Sequence, residues 1–146
     1  MILKKTNIMA QGAEFPPSIT IGDTQLQIME AFTYLGSRVT TSTSLDAEIS
    51  SRITKAAEVM AKLNKRVWYN SLLSIRTKVC IYQACVLSTL LYGSESWTTY
   101  ARQERRLNEF HLCSLRCLLY IKWQNKVPNT EVLKRAGLMS IPSMLI

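Results

Sequence analysis

Phe32-Thr33-Tyr34-Leu35-Gly36, followed beyond a Ser42-Thr43-Ser44 turn by Leu45-Asp46-Ala47-Glu48-Ile49-Ser50-Ser51-Arg52-Ile53, is where the chain changes its period. Upstream, apolar residues alternate with polar ones; downstream they recur at helical spacing. At ~100° per helical residue, Ile49, Ile53, Ala56, Met60, Leu63 and Val67 fall within about 80° of one another, the width of one core-facing stripe. Arg52, Lys55, Lys62 and Arg66 fall in a separate arc of similar width, so the helix predicted here has an apolar face and a neighbouring basic one. Ser42, Thr43 and Ser44 offer N-cap oxygens. Asp46 and Glu48 put negative charge in the first turn, and Lys62, Lys65 and Arg66 put positive charge in the last, as the helix dipole favours.

Working outward toward the N-terminus, Ile19 and Ile21, then Leu26 and Ile28, alternate with polar neighbours around Gly22-Asp23, which predicts a β-hairpin. Glu14-Phe15-Pro16-Pro17 predicts an extended connector, and Phe32 to Leu35 a short third strand. Toward the C-terminus the chain reads as helical. Leu72 to Tyr92 is apolar almost all round, as in a helix covered on most sides, with Tyr92-Gly93-Ser94 as its stop. A further helix is expected from about Ala101 to Tyr120, with Leu107, Phe110, Ser114, Cys117 and Ile121 facing a core and Arg102, Arg105, Arg106 and Glu109 on its polar side. Thr98 or Thr99 is placed to cap it, and Trp97 to anchor the preceding loop. Pro128 and Gly137 bracket a last short helix from Asn129 or Thr130 to Ala136. The fold class is α+β, an N-terminal β-hairpin segment followed by a mainly α-helical bundle.

The 146 residues, 47% hydrophobic, suffice for one domain with a sizeable core. A formal charge of +8 suits a polyanionic partner. The opening Met-Ile-Leu-Lys-Lys lacks the apolar core of a signal peptide, and no run of ~18 apolar residues is present to span a bilayer. The expected location is therefore intracellular, cytoplasmic or nuclear, without membrane. Cys80, Cys85, Cys113 and Cys117 lie within apolar helical patterns and read as core-packing residues. A zinc site from His111, Cys113 and Cys117 is disfavoured: there is no Cys-x-x-Cys pair, and His111 lies about 200° from Cys113 on one helix. His111 reads as a satisfied structural histidine.

Phe32-Thr33-Tyr34-Leu35-Gly36-Ser37, then Leu45-Asp46-Ala47-Glu48-Ile49 with Arg52-Ile53, closely resembles the reverse transcriptase of non-LTR (LINE-type) retrotransposons just beyond its catalytic palm. Leu90-Leu91-Tyr92-Gly93-Ser94-Glu95 with Trp97, Phe110-His111 with Leu115-Arg116, Ile121-Lys122-Trp123-Gln124, and Asn129, Glu131-Val132-Leu133 and Arg135-Ala136-Gly137 follow in the same order as in that family. Ser88 and Ser114 depart from it, standing where relatives commonly have proline and cysteine. The resemblance implies three regions: 1–40 as the end of the palm and the primer-grip hairpin, 41–122 as a helical thumb-like region, and 123–146 as a truncated C-terminal connection. It also implies truncation at both ends, with the palm and fingers of the parent polymerase missing.

The family performs RNA-directed DNA synthesis with Mg ions held by palm aspartates, typically in an aromatic-Ala-Asp-Asp turn. That motif does not occur here: the aspartates are Asp23, read as a turn residue, and Asp46, read as the first turn of a helix. The expectation is a chain that is not itself an enzyme, holds no cofactor, and at most binds the backbone of an RNA or DNA primer-template. By resemblance Lys5 matches the lysine of the family's lysine-threonine strand, and Tyr34 and Gly36 lie in the primer grip with Arg38 following. The basic arc adds Arg52, Lys55, Lys62 and Arg66. The alternatives are solvated charges at Lys4 and Lys5, core packing at Tyr34 and Leu35, and an ordinary solvated face for the arc. A helical protein-interaction module and a non-functional remnant are the rival readings of the whole.

Overall fold

The structure, a computed structural model, describes residues 6–12, 14–15, 17–42 and 44–146, so Lys5, Ala13, Pro16 and Thr43 lie outside the described residues. The architecture is α+β, with short strands first and helices after. The chain divides into two compact units, residues 1–48 and 49–146.

Among its described residues the first unit contains three two-stranded pairings. β1 (Asn7–Ile8) runs parallel to β4 (Gln27–Ile28), with Ile8 opposite Ile28. β2 (Thr20–Ile21) and β3 (Thr24–Gln25) form the hairpin expected around Gly22-Asp23, in the register Thr20 to Gln25 and Ile21 to Thr24. β5 (Ala31–Tyr34) and β6 (Ser37–Thr40) form a second hairpin, with Phe32 opposite Val39 and Tyr34 opposite Ser37. Its two-residue connection, Leu35-Gly36, has φ +48° and +83°. Positive φ at both positions is the type I′ pattern, whose twist matches that of the flanking strands. Leu26 is the buried apolar side chain among this unit's described residues; Phe32, Tyr34 and Val39 are exposed on one face of the second hairpin.

α1 (Asp46–Lys62) begins where the capping residues predict. The Asp46 amide donates to Ser44 Oγ at 3.2 Å, and Asp46 and Glu48 occupy its first turn. Ile49 and Ala56 are fully buried and Ile53, Met60 and Leu63 half-buried, so the apolar stripe is real. Beyond Lys62 the helix does not continue as α: Asn64–Trp68 is a π-helical turn. It buries Val67 and Trp68, and the Trp68 indole donates to the Met60 carbonyl at 2.9 Å.

The next helical run starts later than expected, at α2 (Ile75–Ile81), capped by Ser74 Oγ accepting from the Thr77 amide at 3.3 Å. It passes through a π-helical stretch, Tyr82–Leu87, into α3 (Ser88–Leu90). This helix is not covered on most sides. Leu72 is 91% exposed, and Arg76, Thr77, Cys80, Gln83, Ala84 and Ser88 face outward. The buried residues are Lys78, Val79, Tyr82, Val86, Leu87 and Leu90, and four of them, Lys78, Tyr82, Val86 and Leu90, recur every four residues. A π turn takes more residues than the 3.6 of an α turn, so a run that includes one keeps i, i+4, i+8 on one face.

α4 (Ala101–Leu118) is the hub of the second unit, with α2, α5 (Asn129–Ala136) and α6 (Ile141–Met144) packed on it. Its buried residues are Gln103, Leu107, His111, Leu112, Ser114, Leu115 and Leu118; Cys117, expected among them, is exposed, and Phe110 is half-buried. The helix is not capped by Thr98 or Thr99. The Tyr100 amide donates to Gln103 Oε1 at 3.0 Å, while Thr99 donates to Glu104. α5 matches the sequence reading closely, ending at Gly137 with φ +70° and a Leu138 amide that donates to the Leu133 carbonyl at 3.1 Å.

Candidate nucleic-acid interface

The sequence-derived residues lie on two surfaces, one in each unit. On the second hairpin, Tyr34 is 61% exposed immediately before the Leu35-Gly36 turn, with its ring 6.5 Å from that of Phe32 on the same face. Arg38 is exposed and pairs in register with Thr33, on the opposite face of the ribbon. Its amide donates to Glu48 Oε2 at 2.6 Å, which ties the hairpin to the first turn of α1 within the unit. The tip therefore offers an exposed aromatic face, a glycine without a side chain in the turn, and a guanidinium on the opposite face.

The basic arc of α1 is only partly a surface. Lys62 is exposed, and Lys65 and Arg66 are exposed on the π-helical turn that follows; Lys55 is half-buried. Arg52 is a correction: it is 3% exposed, with its guanidinium 4.9 Å from the centre of the Tyr92 ring. Counting 100° per residue put Arg52 with the other cations, but angle alone does not say what covers a face, and here a tyrosine does. The same count does not extend to Arg66, since the α-helix ends at Lys62.

Other cations that contribute to the net charge are committed to the fold. Arg106 donates to Ser50 Oγ at 2.9 Å, and Arg116 to the Val127 carbonyl and Asn129 Oδ1 at 2.8 and 2.7 Å. Lys78, 2% exposed, donates to the Trp68 carbonyl and to the Tyr120 hydroxyl, both at 2.9 Å, and Tyr120 itself donates to the Trp68 carbonyl. The buried ammonium thus joins the end of the π turn to the segment after α4. Sequence reasoning missed Lys78, although its place in the four-residue spacing with Tyr82, Val86 and Leu90 was the available signal.

His111 is buried at the centre of a directional hydrogen-bond chain. Its Nε2 faces the Met139 carbonyl at 3.1 Å and its Nδ1 the Tyr82 hydroxyl at 2.8 Å. A carbonyl can only accept, so Nε2 carries the proton, Nδ1 accepts from Tyr82, and Ser114 donates to the tyrosine oxygen. Burial holds the imidazole below its ordinary value, partly offset by the Met139 carbonyl, and pushes the Tyr82 hydroxyl well above its own. These groups are occupied with one another and bind the helices together.

The cysteines do not pack as core residues: Cys80, Cys113 and Cys117 are exposed and Cys85 is half-buried. His111 points inward while Cys113 points out, and among the described residues no group of three or more His, Cys, Asp or Glu is placed to hold a metal. Among the described residues no helix is long and apolar enough to cross a membrane. No family model, curated protein or solved structure matches the chain.

Proposed function

We propose that the chain corresponds to the palm-end, primer-grip and thumb portion of a non-LTR retrotransposon reverse transcriptase, and that its own capacity is contact with the backbone of a primer-template. The observation that carries this reading is the second hairpin. The Tyr34-Leu35-Gly36 segment that resembles the primer grip occupies an exposed turn, with Arg38 just beyond it. Lys62, Lys65 and Arg66, exposed in the other unit, supply further phosphate contacts. Backbone contacts position a strand without reading its sequence, so little base preference is expected. These residues include no pair of palm aspartates to hold catalytic metals, so the reading assigns them strand contact and not polymerisation.

The test is a salt titration of binding to a single-stranded oligonucleotide by the wild-type chain and by Lys62→Ala/Arg66→Ala. Wild-type affinity should fall with salt, and losing two phosphate contacts should flatten the log–log slope by about 1.4, at ~0.7 per contact. Arg52→Ala should leave the slope unchanged and act on stability instead. Affinity indifferent to salt would overturn the reading. It would favour a protein-interaction module, for which the specific observation is the exposed apolar face of Phe32, Tyr34 and Val39.

A further inference from the structure

A groove of about 260 Å³ lies between the start of α2 and the end of α5, lined by none of the residues of the two surfaces described above. Ile75, Val79 and Ala136 form its apolar part, while Arg76, Lys134 and Arg135 line it with positive charge. Arg135 donates its Nε–H to Glu131 at 3.2 Å, but the side chains of Arg76 and Lys134 have no hydrogen-bond or ion-pair partner among the described residues. The carbonyls at the end of α5 are already used: Leu133 accepts from Leu138 and Lys134 from Gly137, so they do not satisfy these cations. Two unpaired cations beside an apolar surface match a dianion attached to a compact apolar body, and guanidinium suits phosphate oxygens in particular. The volume is below the ~300–1,000 Å³ of drug-sized pockets and suits roughly one ring with its anionic group.

We propose that this groove is a binding site for a small soluble phosphate monoester with an apolar or aromatic body, whose phosphate lies on Arg76 and Lys134 and whose body covers Ile75 and Val79. The site is independent of the nucleic-acid reading, since it uses none of the same residues.

Cys80 lines the groove and is exposed, whereas Cys113 and Cys117 are exposed elsewhere and do not line it. Alkylation of the full chain by iodoacetamide, followed thiol by thiol by mass spectrometry, therefore carries its own controls. Saturating phenyl phosphate should slow modification of Cys80 by about tenfold or more, the protection expected when about nine-tenths of sites are occupied, and leave Cys113 and Cys117 unchanged. Inorganic phosphate and phenol at the same concentration should protect far less, and Arg76→Glu/Lys134→Glu, at exposed positions, should abolish the effect. Equal protection by inorganic phosphate would reduce the groove to a patch of charge and overturn the proposal. So would protection of all three thiols alike, protection of none, or protection by phosphatidic-acid vesicles alone.

Discussion

In the hairpin unit Phe32, Tyr34, Leu35 and Val39 are between 43% and 74% exposed, whereas in the helical unit Trp68, Tyr82, Leu107 and Leu115 are at 0–1%. Both stretches are rich in apolar residues, so composition does not separate them. The difference lies in what each secondary structure can cover. A two-stranded pairing has no second layer and is marginal in isolation, while α4 gathers α2, α5 and α6 around one buried stripe. Phe32, Tyr34 and Val39 on the hairpin are exposed to a partner, whereas Trp68, Tyr82, Leu107 and Leu115 are spent on the fold.

The sharpest way to break this contrast is to truncate one large side chain in each unit. Trp68→Ala should lower the unfolding free energy by about 3–5 kcal/mol in urea denaturation, through the lost packing and its freed indole bond. Phe32→Ala, at a 43% exposed position, should cost less than about 1 kcal/mol. Comparable losses would mean that the hairpin unit has its own effective core.

A smaller effect should mark the helical unit alone. His111 is the chain's single histidine, and its buried imidazole resists protonation while the unfolded chain's does not. The unfolded state therefore binds more protons as pH falls below 6.5, and the stability present above that value is lost progressively from there downward. Tyr82 acts at the other limit: its raised value makes stability decline as pH rises past 10.0. Thermal melts between pH 5 and 7 should show the acid decline in the wild type and a flatter profile in His111→Asn. A wild-type profile flat over that range would exclude the buried hydrogen-bond chain as drawn.

The smallest expected change is in the hairpin. Leu35 holds φ +48° at the exposed turn, a conformation that costs a bulky L-residue ~1–2 kcal/mol and that asparagine tolerates better. Leu35→Asn should stabilise the hairpin by about 0.5–1 kcal/mol, read as roughly two- to fivefold slower amide exchange in residues 31–40. Unchanged exchange would show that this turn does not limit the unit's opening.

Local chemistry by itself determined the order of elements: the Gly22-Asp23 hairpin, the start of α1 at Asp46, and the short α5 stopped at Gly137. Each rests on interactions between residues close in sequence, such as a turn backbone, a cap or a glycine at positive φ, so the signal is complete within a few positions. The apolar stripe of α1 was legible for the same reason. Tertiary structure alone decided which faces are covered. It buried Arg52 under Tyr92 and drew Lys78 inward to Trp68 and Tyr120. It turned Cys80, Cys113 and Cys117 outward, and brought Arg76 beside Lys134 across nearly sixty residues of chain. The physical reason is that periodicity assigns residues to faces, whereas burial, pairing and the free energy of a charge depend on the distant element that meets each face.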